Sequence, residues 1–184
     1  MLKPIRIRLF AAAILGLCSS CAFVTDRAVT GEMPALKNLA QPDPGHYAAG
    51  AVSPADVDAL AKAGIRNVIN LRPASETPDF DEASAVRAAG MNYESLPIAG
   101  AADLNRANVD RFDALLKKQQ GAPSLVHCAS SNRVGALMAL RAGWIKGQST
   151  DEAIAVGKQW GLASLEPVVR KKLDSGTNQV FGML

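Results

Sequence analysis

Cysteine is scarce in this chain. Of three cysteines in 184 residues, Cys18 and Cys21 fall near the N-terminus and Cys128 stands alone in the body. No disulfide can form within the body. Histidine is scarcer still, with only His46 and His127. That leaves no clustered ligand spacing for a metal, and neither metal nor cofactor is expected. Aromatics make up 5% of the chain, too few for a platform that stacks single-stranded nucleic acid. Neither a glycine-rich nucleotide loop nor a serine-triad motif is visible. No apolar run reaches the roughly 20 residues of a membrane-spanning helix.

A shorter apolar run does open the chain. Lys3, Arg6 and Arg8 precede Leu9 to Leu17, and the small residues Ser19, Ser20, Cys21 and Ala22 follow. This is the order of an export signal, so residues 1–22 read as a leader and the mature protein as exported to a periplasm. Two cleavage modes compete. One ends at Ala22. The other follows a degraded lipobox, Leu17-Cys18-Ser19-Ser20, and leaves Cys21 lipidated as a membrane tether. The second is preferred, because a cysteine after small residues here is otherwise unexplained. The leader holds three basic and no acidic side chains, so the formal charge of +3 falls to zero without it. A basic nucleic-acid partner surface is not indicated.

Residues 23–45, punctuated by Gly31, Pro34, Pro42, Pro44 and Gly45, read as a tether. The folded body is expected over 46–176, with 177–184 as a tail. Within the body, strand-like and helix-like segments alternate. Ser53-Pro54-Ala55-Asp56 is a capping box with proline at the first helical position. Strands are expected over Ile65–Leu71, Met91–Ile98 and Ser124–His127. Helices are expected from Thr77-Pro78 to about Ala89, from Asn105 to about Gln120, from Arg133 to about Ile145, over Thr150–Trp160 and over Ser164–Leu173. Strands separated by helices predict an α/β three-layer sandwich around a mostly parallel sheet. Ligands bind such sheets at the carboxyl ends of the strands.

His127-Cys128 sits at such an end. Four residues then separate Cys128 from Arg133, which opens a helical pattern. A strand, a tight loop and a helix N-terminus make an anion site from backbone N–H groups. A thiol there is activated by the helix dipole and a neighbouring cation. Arg133 can grip two oxygens of a phosphate in a planar fork. Cys128 is therefore the candidate nucleophile, and Ala129, Ser130, Ser131, Asn132 and Arg133 the candidate phosphate cradle. His127 is read as a support of the loop and not as a base. A general acid should lie on a nearby loop. Asp103 in Ala99-Gly100-Ala101-Ala102-Asp103 is the first candidate, although an acidic residue before a helix equally suits the dipole. Glu76, which clusters with Asp79 and Asp81, is the second.

At these residues the chain resembles the small tyrosine and dual-specificity phosphatases, in particular the bacterial beta-lactamase hydrolase-like phosphatase domain. The resemblance runs from about His46 to Leu173. It includes Tyr47-Ala48-Ala49-Gly50, Ala63-Gly64-Ile65-Arg66-Asn67-Val68-Ile69-Asn70-Leu71-Arg72-Pro73 with Glu76, and Tyr93-Glu94-Ser95-Leu96-Pro97-Ile98. It implies a hydrolase of phosphate monoesters working through a cysteinyl-phosphate, with a phosphorylated protein or small ester as its partner. Two positions depart from the family pattern. Ser131 replaces a glycine, at a cost of about 1 kcal/mol if φ is positive, unless Asn132 takes the turn. Val134 replaces the usual Ser or Thr after the arginine, which implies slow release of the intermediate. Those departures also suit an alternative, an inactive or weak anion-binding module. A rhodanese-like sulfurtransferase carrying a Cys128 persulfide is a third reading. Against it, Asn70-Leu71-Arg72 stands where rhodaneses have Asp-Val-Arg.

Overall fold

The computed structural model describes residues 29, 31–119 and 121–181. The leader, with Cys18 and Cys21, lies outside the described residues. Five strands form one sheet: β1 (Ala40–Asp43), β2 (His46–Ala49), β3 (Asn67–Asn70), β4 (Asn92–Ser95) and β5 (Ser124–His127). Their spatial order is β1-β2-β5-β3-β4, and only the β1–β2 pair is antiparallel. The expected mostly parallel α/β architecture is present.

Side-chain alternation along each strand builds two cores. Val68 and Leu125 face one side, with Leu60 of α1 (Pro54–Ala63) and Val86 of α2 (Glu82–Ala88). Ile69 and Val126 face the other, with Phe112 of α3 (Arg106–Lys118) and Leu137 of α4 (Asn132–Trp144). Helices α5 (Thr150–Gln159) and α6 (Glu166–Phe181) complete that layer. Each large side chain so buried contributes about 1.5–3 kcal/mol. Helix α4 packs so closely on α5 and the turn after it that a Cβ on Gly135 would stand 2.6 Å from Gly157 O and 2.1 Å from Leu162 N, so the position admits only glycine.

Strands β3 and β4 are shorter than the expected Ile65–Leu71 and Met91–Ile98, and three further boundaries differ from the sequence reading. The stretch 23–45, read as tether, contains β1, and Leu36 is buried beside Tyr47. Pro42 hid this strand. Proline is tolerated because β1 is an edge and pairs on one side only. Helix α2 begins at Glu82 and not at Thr77-Pro78, because Asp81 caps it by accepting from Ser84 N. The residues before it form a 3-10 turn over Ala74–Glu76. Helix α6 starts later than Ser164 and continues to Phe181, into the stretch set apart as a tail.

Candidate active site

Strand alternation separates two neighbours in sequence. His127 ends β5 pointing to α2, where its Nε2 lies 2.7 Å from Glu82 Oε1. Cys128 turns to the opposite core, fully buried, with its N–H on Ala49 O. The loop from Cys128 then leads straight into the N-terminus of the 13-residue α4, which carries the positive end of a helix dipole.

Arg133 lies in the first turn of α4. Glu76 holds its guanidinium with two hydrogen bonds: Nη1 donates to Oε1 and Nη2 to Oε2, both at 2.8 Å. Nη1 also donates to Ile98 O at 2.6 Å. Of the five N–H donors, Nε–H and the second Nη2–H are taken by neither Glu76 nor Ile98, and both lie on one edge of the plane. That edge is a fork suited to two oxygens of a phosphate. The Glu76 hydrogen bond strengthens Arg133's hold on its proton, and the Cys128 sulfur beside the guanidinium adds to the effect. The Arg133 hydrogen bond in turn holds the Glu76 carboxyl below the usual range, with Arg72 assisting against partial burial. With both oxygens on Arg133, this carboxyl has none free to carry a proton to a leaving group. Glu76 positions Arg133 instead.

The loop is scaffolded from outside. Ser130 O accepts from Asn38 Nδ2 at 3.0 Å. With that carbonyl turned out, the trans peptide turns Ser131 N–H the other way, into the loop. Ser131, and not Asn132, takes the left-handed turn, at φ 66° and ψ −14°. Its buried Oγ donates to Trp160 O at 3.1 Å. Gly161 lies against it at φ 90°, where a Cβ would come within 2.5 Å of Ser131 Oγ. Asn132 is free of the turn because its side chain is committed elsewhere. Its Oδ1 accepts from Ala163 N at 2.9 Å and Leu165 N at 3.4 Å, and its Nδ2 donates to Ser164 Oγ at 2.7 Å. Ala129 is exposed and Ser130 half-buried. What residues 129–132 can offer an anion is therefore mainly backbone N–H.

Asp103 lies in a 3-10 turn over Ala101–Asp103. Its Oδ2 accepts from Ala99 N at 2.7 Å. The carboxylate thus ties down its own loop, and that loop is the one bound to Arg133 through Ile98 O.

Three residues behind the loop escaped the sequence reading: the buried Asn70 and Glu82 and the half-buried Tyr93. Asn70 Nδ2 donates to Glu82 Oε2 and to Tyr93 Oη, each at 2.9 Å. Burial is the main influence raising the Tyr93 phenol pKa, against the lowering effect of its Asn70 hydrogen bond. The His127–Glu82 contact is close but poorly aligned, and neither His127 nitrogen nor Glu82 Oε1 has a well-directed hydrogen bond. A polar Asn70 within the apolar run Val68-Ile69-Asn70-Leu71 was the available signal.

Residues 43–144 match the model of the phosphatase-like domain of beta-lactamase hydrolase-like proteins. The chain belongs to this family. Beta-lactamase hydrolase-like proteins of Xylella fastidiosa share 33% identity over 107 residues, which is 56% of this chain and 24% of theirs. The match therefore spans about a quarter of those relatives. A candidate phosphatase from Neisseria meningitidis Z2491 superposes with a TM-score of 0.60 at 25% identity, covering 74% of this chain and 96% of that one. Pseudomonas aeruginosa TpbA shares the fold with a TM-score of 0.55 at 17% identity, covering 83% and 91% of the two chains. A cysteine-to-serine form of TpbA has been solved with phosphotyrosine. The phosphatase-like domain of this chain thus has the fold of the tyrosine and dual-specificity phosphatases. Asn38 and Trp160–Leu165, which prop its loop, lie outside the segment matched by the family model.

Proposed function

We propose that this protein is an exported cysteine-dependent phosphatase of the tyrosine and dual-specificity type, hydrolysing phosphate monoesters. One observation carries the reading: Arg133, fixed by Glu76 and Ile98, lies against the Cys128 sulfur with two N–H donors that neither Glu76 nor Ile98 takes. A phosphate set on those donors and on the loop N–H groups lies over the sulfur. The Cys128 thiolate attacks phosphorus as the bond to the ester oxygen breaks, and Asp103 gives that oxygen its proton. Water then attacks phosphorus, the S–P bond breaks, and Asp103 takes up the proton from water. Cys128 leaves as thiolate, stabilised by Arg133 and the start of α4. The test is hydrolysis of a small aryl phosphate by the parent and by Cys128→Ser, under reducing conditions. The reading expects a loss of about a thousandfold or more in the variant. Equal rates would overturn it.

A second reading, an anion-binding domain with slow turnover, has its own observation. Val134 is fully buried in the cluster that contains Cys128 and presents no hydroxyl to the leaving sulfur. The Ser131 hydroxyl is engaged by Trp160 O.

A further inference from the structure

A polar chain runs behind the loop from one side of Cys128 to the other. His127, which precedes the sulfur, meets Glu82. Glu82 accepts from Asn70 at 2.9 Å. The Asn70 amide oxygen accepts from Arg72 N at 2.7 Å. The Arg72 guanidinium binds the Glu76 backbone carbonyl and lies 3.5 Å from its carboxylate. Glu76 carries Arg133. Asn70 is the residue in this chain whose own side chain reaches both halves: its amide donor serves the His127 side and its oxygen serves the Arg133 side.

Its burial makes this placement informative. Asn70 is only 4% exposed, on a strand whose neighbours Val68, Ile69 and Leu71 are all apolar. A buried amide costs stability unless every polar atom is satisfied, and an apolar side chain of the same size would avoid that risk. Such local departures are expected where a site must be held in place. Asn70 also lies at the carboxyl end of β3, paired with His127, so a small shift at this residue moves both sides of the loop together.

We propose that Asn70 is a positioning residue for the phosphate loop, setting His127 beneath Cys128 and, through Arg72 and Glu76, setting the Arg133 fork. The inference rests on the phosphatase reading for its kinetic consequences, but its geometric content is independent of turnover.

Three variants test it: Asn70→Ala, Asn70→Asp and Asn67→Ala. Asn67 is comparably buried on the same strand, 7% exposed, and lies outside the chain described above. For each, three readouts are taken: kcat and KM on an aryl phosphate, affinity for vanadate, and the pH profile of Cys128 alkylation. Asn70→Ala is expected to lower kcat and vanadate affinity, each about tenfold or more. Asn70→Asp keeps the acceptor for Arg72 N but loses the amide donor. It should hold vanadate affinity within about threefold while losing kcat and shifting the alkylation profile. Asn67→Ala should lower thermal stability and leave all three readouts near those of the parent. Should Asn70→Ala not fold, Asn70→Asp decides. A folded Asn70→Asp with parental kcat and alkylation profile overturns the proposal, as does a folded Asn70→Ala that matches Asn67→Ala. If the parent hydrolyses no ester, the phosphatase reading fails. Vanadate affinity and the alkylation profile then still decide the role of Asn70.

Discussion

Arg133 and Asp103 are joined through one peptide unit. The carbonyl of Ile98 accepts from Arg133 Nη1 at 2.6 Å, and the N–H of the same peptide, on Ala99, donates to Asp103 Oδ2 at 2.7 Å. The phosphate fork and the proposed acid therefore sit on opposite ends of a single rigid plane. Such chains polarise one another, so each bond strengthens its neighbour. The arrangement fixes the Asp103 loop relative to Arg133 without any direct contact between the two side chains.

If Asp103 protonates the leaving oxygen, its removal should matter most where that oxygen is a poor leaving group. Asp103→Asn is expected to lower kcat/KM, which reports transfer of phosphate to Cys128, about a hundredfold on phenyl phosphate and far less on an ester of an acidic phenol. Equal losses on both substrates would assign Asp103 to holding the loop alone.

The Glu76–Arg133 pair predicts an acid-side effect on stability. The folded Glu76 pKa is lowered, chiefly by the Arg133 hydrogen bond. Its contribution is therefore complete above the ordinary carboxyl value of 4.5 and is lost as pH falls through the lower folded value. Thermal melts between about pH 6 and pH 3 should fall less steeply for Glu76→Gln than for the parent. The same variant should bind vanadate about tenfold more weakly, because the guanidinium loses its bidentate anchor. Parallel melting curves would contradict the linkage.

Ser131 and Gly161 should be energetically coupled. Gly161→Ala adds a Cβ within 2.5 Å of Ser131 Oγ at a φ of 90°. A destabilisation of about 2 kcal/mol or more is expected. Ser131→Gly removes the atom that is struck, so the double variant should lose less than the sum of the two single losses. Strict additivity in denaturant melts would show that the loop does not transmit the clash.

Val134 predicts the shape of a time course. With no hydroxyl near the sulfur from α4, hydrolysis of the cysteinyl-phosphate should limit turnover and give a burst of phenol release. Val134→Ser should shrink the burst and raise the steady rate, at a stability cost of about 1–2 kcal/mol for the buried hydroxyl. A parent without a burst would refute this order of rates.

The central loop was legible from sequence because its chemistry depends on neighbours in the chain: a buried strand, His127-Cys128 and an arginine at the start of a helix. The alternation of strands and helices likewise exposed the sheet. The arrangement around the loop was less legible, since it depends on contacts between distant segments. Glu76 read as an acid candidate because nothing local reveals that Arg133, 57 positions away, takes both its oxygens. Asn132 stood as an alternative to Ser131 for the turn because its preference for positive φ is visible, whereas its partners at Ala163, Ser164 and Leu165 are not. Nothing local in the sequence singles out Glu82, which the fold buries against His127. Strand β1 was missed because prolines and glycines dominate its surroundings, while its pairing with β2 is set by tertiary structure.

The most direct test of the account is to quench a reaction with aryl phosphate in acid during the burst and map phosphate on the protein by mass spectrometry. The account predicts phosphate on the peptide holding Cys128 in the parent, accumulating before steady state, and none in Cys128→Ser. Turnover with no phosphate on Cys128, or continued turnover in Cys128→Ser, would contradict it.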